Sequence, residues 1–372
     1  MSHTPAHLAA LASAAVPGLD PVAAGTFPPA QRVSVDAASV QDSQGRTWIV
    51  RAADSAGTAL ALDAGAAAAG LVARRLSVSV PVSRGSLTLP DGGRVHVHAA
   101  MAGHALRLAG LEPHFPITAA LGRLLAAVHN LEPGVFEDAG LESYTSEEYR
   151  QRRLADLDRA AATGRVPAAL LTRWEAALEN VALWRFVPVP VHGGLAGRHV
   201  LVTVGEDGEP TIRGLAGWRR AKVADPADDF AALVRDGDPE AVIEVARTYA
   251  RSRSTRPDRH LLTRAKLVAE LGYVADLFDA LAAGYPDALD VASARLSQLA
   301  ADLDGTELMP PPPPQAAPAP VTDPSYDVPV RATDGGDGAA APAGDDAEPP
   351  AADTPGPDQS AALPGLDGRP GG

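Results

Sequence analysis

Val191-His192-Gly193-Gly194-Leu195-Ala196-Gly197-Arg198-His199-Val200-Leu201-Val202 is the stretch on which the reading of this chain turns. A glycine-bearing loop runs directly into a short apolar, β-branched segment. The segment continues to Val204, and Thr211-Ile212-Arg213 follows the turn residues Gly205-Glu206-Asp207-Gly208, which together carry a hairpin signature. The hairpin sits inside a region of helical periodicity. Upstream, Ile117 to Leu131 places Leu121, Leu124, Leu125, Val128 and Leu131 at helical spacing. Ala168 to Arg185 does the same with Leu171, Trp174, Leu178, Val181 and Trp184, and both tryptophans read as core. Downstream, helices are expected at Asp228 to Arg235, Pro239 to Ala250, His260 to Ala283 and Pro286 to Leu303.

The first hundred residues read differently. Arg32 to Ala37 alternates with period two, and Arg46 to Arg51 is a short β-branched and aromatic run after the turn Asp42-Ser43-Gln44-Gly45. Ser86 to Leu89 and Arg94 to His98 form a second pair of expected strands across Pro90-Asp91-Gly92-Gly93. Between the pairs, Ala59 to Arg75 has helical propensity, weakened by Gly65 and Gly70. Strands first, then helices with an internal hairpin, is an α+β layout with two lobes. Gly103 is placed at the hinge, which divides a sheet lobe, 1–103, from a helical lobe, 104–304.

Residues 305–372 read as a third, disordered region. It opens with five prolines, Pro310 to Pro314, and lacks the apolar surface needed to offset the entropy of ordering. From Gly305 it carries eleven acidic side chains against Arg331 and Arg369, so it holds net charge -9 of the -14 of the whole chain. That sign argues against a nucleic-acid backbone as partner. No uninterrupted apolar run of about 18 residues is present, which argues against a membrane span. The absence of cysteine excludes thiol and disulfide chemistry and suits the cytoplasm, and the N-terminus lacks the pattern of a secretory signal.

The loop at 191–202 resembles the catalytic loop of the aminoglycoside and macrolide phosphotransferases, which have a kinase-like fold and usually read V-H-G-D-L-x-x-x-N-(V/I)-L-(V/I). Leu215-Ala216-Gly217-Trp218-Arg219-Arg220-Ala221-Lys222-Val223-Ala224-Asp225-Pro226-Ala227-Asp228-Asp229-Phe230 is similar to that family's next block, V-I-D-W-x-x-A-x-x-G-D-P-x-x-D-L. Ala126-Ala127-Val128-His129 and Trp48-Ile49-Val50-Arg51 also fit, so the resemblance spans roughly residues 30 to 290. It implies a two-lobed kinase-like fold and ATP or GTP with magnesium as cofactor.

Phosphoryl transfer works by positioning and electrostatics, so each role that the resemblance implies can be checked against a side chain. The base position is Gly194, which has no proton acceptor. The loop's metal position is His199, and the strand carboxylate that would hold magnesium is Gly217. Arg51 stands for the nucleotide-gripping cation, and its helix glutamate falls at Gly65, with Asp63 two residues away on the wrong face. The bracing positions are kept: His192 shapes the loop, Asp229 braces its backbone and Asp225-Pro226 starts the next helix.

Elsewhere, His96 and His98 share a strand face and read as a surface pair, not metal ligands. Arg150, Arg152, Arg153 and Lys222 form either a basic rim for an anion or an ordinary solvated face. Three functional readings follow. The chain has lost phosphoryl transfer and binds a small-molecule ligand or protein partner; or it is an active ATP/GTP-dependent phosphotransferase of macrolide or aminoglycoside type, in which Asp225, Asp228 or His199 supplies the missing groups; or it is a structural module that makes contacts through its acidic tail.

Overall fold

The computed structural model describes residues 3–27, 35–206 and 208–308. The first part of the expected strand at Arg32, the turn residue Asp207 and the proline-rich acidic tail from 309 lie outside them; the first four residues of the region expected to be disordered, 305–308, are instead ordered, with Leu308 buried and the Thr306 carbonyl accepting from Arg173. The described residues belong to one compact unit.

The sheet lobe begins with α1 (Pro5–Ala15), which no apolar periodicity announces; Thr4 caps it, and Pro5 starts it where a missing N–H costs nothing. β1 (Pro21–Thr26), β2 (Val35–Asp42) and β3 (Thr47–Ala53) follow, then α2 (Ala56–Val72), β4 (Gly85–Thr88) and β5 (Arg94–Ala99). The two expected hairpins merge, because β3 pairs with β5, into one antiparallel sheet of order β1-β2-β3-β5-β4. The first turn is built on Asp42, whose buried carboxylate accepts from the Gln44 and Arg46 amides, Arg46 Nε and Trp48 Nε1.

Side-chain alternation sets the two faces of the sheet. Val40, Trp48, Val50, Val95 and Val97 pack with Leu8 and Ala12 of α1. Arg51, His96 and His98 alternate with those residues and so lie on the opposite face; there His96 meets Asp63 of α2. Arg51 therefore faces the α2 side.

β6 (His104–Ala105) leads into the helical lobe. α3 (Pro116–His129), α4 (Pro133–Glu137), α5 (Ser146–Ala162) and α6 (Ala168–Glu179) precede β7 (Val189–Val191). The hairpin β8 (Val200–Val204) and β9 (Pro210–Leu215) follows, then β10 (Lys222–Ala224) and the helices α7 (Ala231–Asp236), α8 (Pro239–Ser252), α9 (Leu261–Ala283) and α10 (Pro286–Asp302). α6 stops six residues short of the expected Arg185: Asn180 leaves the helix and its side chain caps a 3₁₀ turn at Val181–Trp184. The helix expected from Asp228 likewise splits, into a 3₁₀ turn at Pro226–Asp229 and α7.

Sequence periodicity missed α5, because it buries only Tyr149, Leu157 and Ala160 and has no apolar stripe. Its signal is the capping box of Thr145 and Glu148. Trp174 and Trp184 are core as expected, with Trp174 Nε1 donating to Glu270 of α9 at 2.8 Å. Gly103, at φ +111°, sits against the Val202 backbone of β8, where a Cβ would come within 2.8 Å of a carbonyl oxygen. Among the described residues no helix is long and apolar enough to cross a membrane.

Candidate functional site: a braced loop with cations beside its glycines

β7 and β10 pair antiparallel, Val191 opposite Lys222, and deliver the loop beginning at His192 next to the segment 216–220. The loop is fixed from below by Asp229. Its Oδ2 accepts from the His192 amide at 2.7 Å, and its Oδ1 accepts from the amides of Gly194 at 2.8 Å and Leu195 at 3.1 Å. His129 Nε2 donates to Oδ2 at 3.1 Å, and Tyr249 meets the other ring nitrogen at 2.9 Å. Burial alone would raise the Asp229 pKa, but these donors win and hold its carboxyl well below the usual range.

His192, expected to shape the loop, is buried. Its Nε2–H donates to the Ala216 carbonyl at 2.7 Å, and its ring packs 4.8 Å from that of His199 and 5.0 Å from Trp218. Burial lowers its pKa, so it is neutral at physiological pH.

Gly194 adopts φ +131°, and a Cβ there would face Arg220 Nη1 at 3.5 Å. Arg220, which sequence reasoning passed over, thus puts a guanidinium beside the position of the base. The adjacent Gly193 admits no side chain, since a Cβ would fall 1.9 Å from the Arg220 carbonyl oxygen. Gly217 adopts φ +93°, and a Cβ there would lie 2.5 Å from His199 Cδ2 and 2.9 Å from Nε2. The imidazole of His199 therefore occupies the space of the strand carboxylate. His199 Nδ1 accepts the Ala196 amide at 3.1 Å, and burial, helped by His192 and Arg198, lowers its pKa to about 2.

A third close approach brings the sheet lobe in. Gly65 of α2 rests on Arg219, where a Cβ would be 2.9 Å from both Cα and Cγ. Arg51, part-buried on β3, stacks over Phe27 at 5.7 Å. Burial first, and then the charge of Arg219, lowers its pKa to about 10, so it stays charged at neutral pH. Asp63 does not serve Arg51: it is taken by Arg94 Nε at 2.9 Å and His96 Nε2 at 2.6 Å.

The carboxylates that a relocated chemistry would need are engaged. Asp225 is held by Arg264, Nε to Oδ2 at 2.7 Å and Nη2 to Oδ1 at 3.1 Å, and caps Ala227. Asp228 accepts from Tyr149 at 2.5 Å, Lys222 at 2.9 Å and Arg153 at 3.0 Å. That arrangement also corrects the basic-rim reading: Arg153 and Lys222 turn inward to Asp228, Arg150 binds Glu147 and the Leu178 carbonyl, and Arg152 stacks on Tyr144. The histidine pair is part-buried rather than superficial. His96 bridges Ser83 and Asp63, whereas His98 bonds the Ala99 carbonyl.

A sequence model of the phosphotransferase enzyme family matches residues 28–263. The chain belongs to that family. Solved structures with the same kinase-like fold include a macrolide 2'-phosphotransferase type I, 23% identical, covering 80% of this chain and 98% of that one with TM-score 0.65. The apoenzyme of a macrolide 2'-phosphotransferase from Brachybacterium faecium is 22% identical, with 79% and 98% covered and TM-score 0.64. A GDP complex of aminoglycoside 2'-phosphotransferase-IIIa is 17% identical, with 81% and 99% covered and TM-score 0.67. An uncharacterized Bacillus subtilis protein, YcbJ, is 30% identical over 110 residues, which span 30% of this chain and 35% of that protein.

Against this family background the donor set can be tested for magnesium. Magnesium demands near-octahedral oxygen coordination. The described residues contain no group of three or more His, Asp or Glu side chains that could hold a metal ion. His199 Nδ1 is committed to Ala196 and its Nε2 edge lies against Gly217. These residues do not fit a magnesium site.

Proposed function

We propose that this member of the phosphotransferase family has lost phosphoryl transfer and keeps its braced cleft for binding a small-molecule ligand or a protein partner. One observation carries the reading. At the three positions where the resemblance calls for a carboxylate, Gly194, Gly217 and Gly65, the neighbouring group is Arg220, His199 or Arg219. A general base contributes roughly 10²–10⁴-fold to a rate, and a metal adds several kcal/mol of transition-state stabilisation. The first lacks a proton acceptor at Gly194, and the second lacks a ligand oxygen at Gly217. The reading of an active enzyme needs Asp225, Asp228 or His199 to act instead, and each is already engaged.

The test is phosphate transfer from ATP and GTP, with magnesium or manganese, to a panel of macrolides and aminoglycosides. The expected result is no turnover above a protein-free control. Robust turnover by the unmodified protein would sink the proposal.

A further inference from the structure

Outside the braced loop, a chain of hydrogen bonds on the α2 face of the sheet joins a hydroxyl, an imidazole and a carboxylate. Ser83 Oγ lies 2.9 Å from His96 Nδ1, and His96 Nε2 lies 2.6 Å from Asp63 Oδ1. The segment before β4, strand β5 and helix α2 each supply one of the three groups. A carboxylate oxygen only accepts, so Nε2 carries the proton of the neutral ring and Nδ1 presents its lone pair to the Ser83 hydroxyl. Ser83 Oγ also lies 3.1 Å from the Gly85 carbonyl, which takes the hydroxyl proton when the ring is protonated. The second oxygen of Asp63 accepts from Arg94 Nε at 2.9 Å, and Arg94 also donates to Thr88 of β4, so the carboxylate is held from two sides. None of the three residues is fully buried, and β4 is an outer strand of the sheet.

A serine hydroxyl is a weak nucleophile until a base within hydrogen-bond reach takes its proton, and the base works best when a third group fixes its tautomer. We propose that Ser83 is an activated nucleophile that accepts the acyl group of an activated carboxylic ester, with His96 as its general base and Asp63 as the residue that positions the base. The bond from Oγ to the acyl carbon forms as the ester C–O bond breaks. The hydroxyl proton passes to His96 Nδ1 and from there to the departing alkoxide. Water, deprotonated by the same imidazole, then cleaves the acyl-serine and restores the hydroxyl, so the sum is hydrolysis of the ester to acid and alcohol. The inference goes beyond the functional reading above and stands separately from it, since neither Ser83 nor His96 braces the loop or lies against its glycines.

The experiment treats the full chain with diisopropyl fluorophosphate, whose phosphorus takes the serine oxygen and loses fluoride, and locates the adduct by mass spectrometry. The expected result is one adduct, on Ser83, formed much faster in the native protein than in urea. Ser83→Ala should abolish it. His96→Gln keeps a hydrogen-bonding side chain without a basic nitrogen and should slow labelling roughly 10²-fold, the lower range of a general-base contribution. It should also remove the fall in rate at acid pH, which a purely structural histidine would not set. Asp63→Asn should slow labelling, and Asp63→Glu should restore part of the rate. With p-nitrophenyl acetate, release of nitrophenolate should be accompanied by acetylation of Ser83.

No adduct, an adduct on another hydroxyl, equal labelling in urea, or an unchanged rate in a folded His96→Gln protein would each overturn the inference. So would nitrophenolate release that survives Ser83→Ala undiminished, since other histidines would then be its source. The comparison of native with unfolded protein needs no variant, and so decides even if His96→Gln fails to fold. Turnover in the phosphate-transfer assay would instead overturn the functional reading above.

Discussion

Three glycines in this protein occupy positions where the family resemblance calls for acids; the space beside Gly217 and Gly65 has been taken, whereas a Cβ at Gly194 would meet Arg220 only at 3.5 Å. Restoring an acid is therefore not a simple replacement. Gly217→Asp must adopt φ +93° and displace the His199 ring, which a Cβ would approach to 2.5 Å. We expect it to cost roughly 1–3 kcal/mol of stability by urea denaturation and, combined with Gly194→Asp, to yield no phosphate transfer. Adding His199→Asn, a smaller side chain, should return part of the lost stability. Turnover by the double variant alone would show that the ring moves aside freely.

Asp229 and Asp228 carry the acid sensitivity. Both have folded pKa values below the ordinary 3.8, Asp228 at about 2, where Lys222 and Arg153 outweigh the opposing effect of burial. A depressed carboxylate pKa stabilises the fold fully above the unfolded value, and that contribution drains as pH falls through the folded one. Stability should thus fall steeply from about pH 4 towards pH 2. Asp229→Asn should flatten this limb while costing roughly 3–5 kcal/mol at neutral pH, because buried amide donors lose their ionic acceptor. The identities of the three glycines were legible in the sequence. What lies beside them was not, although Arg219-Arg220, two and three residues after Gly217, was a visible sign of charge reversal.

At the scale of the element, α2 makes the sharpest test, because two of its three glycines, Gly65 and Gly70, have opposite surroundings. Gly65 rests on Arg219 with no room for a Cβ, whereas Gly70 has nothing within 4 Å. Alanine is the better helix former by roughly 0.5–1 kcal/mol. Gly70→Ala should therefore raise the melting temperature, and Gly65→Ala should lower it as α2 is pushed from the segment after Gly217. A rise in both would mean that α2 shifts without cost. Sequence reading took both glycines as weak points in a helix, and Gly65 also as the place of the helix glutamate, but it could not see what packs on either, because propensity is local and packing is not. The same limit hid α1 and α5, which are held by caps and a few buried contacts instead of an apolar stripe.

Across the whole molecule, Arg264 joins segments far apart in the chain. From α9 it reaches Asp225 before the 3₁₀ turn, Asp258 before α9 and the Leu183 carbonyl after α6, and it stacks on Phe186 at 4.8 Å. Arg264→Met leaves two part- or fully buried carboxylates without their cation, and should cost roughly 3–5 kcal/mol in denaturant melts. A loss near zero would place this network outside the cooperative core.

The sequence by itself determined the family, the two-lobed α+β layout and the glycines at three positions where the resemblance calls for acids. These are written as residue types at fixed spacings along one strand of chain. Only the tertiary structure decided that His199 fills the space of the strand carboxylate, that Arg220 stands beside Gly194, and that Asp225 and Asp228 are already engaged. Each of those outcomes depends on side chains from different elements competing for one volume and one set of charges, and linear spacing carries no information about such competition.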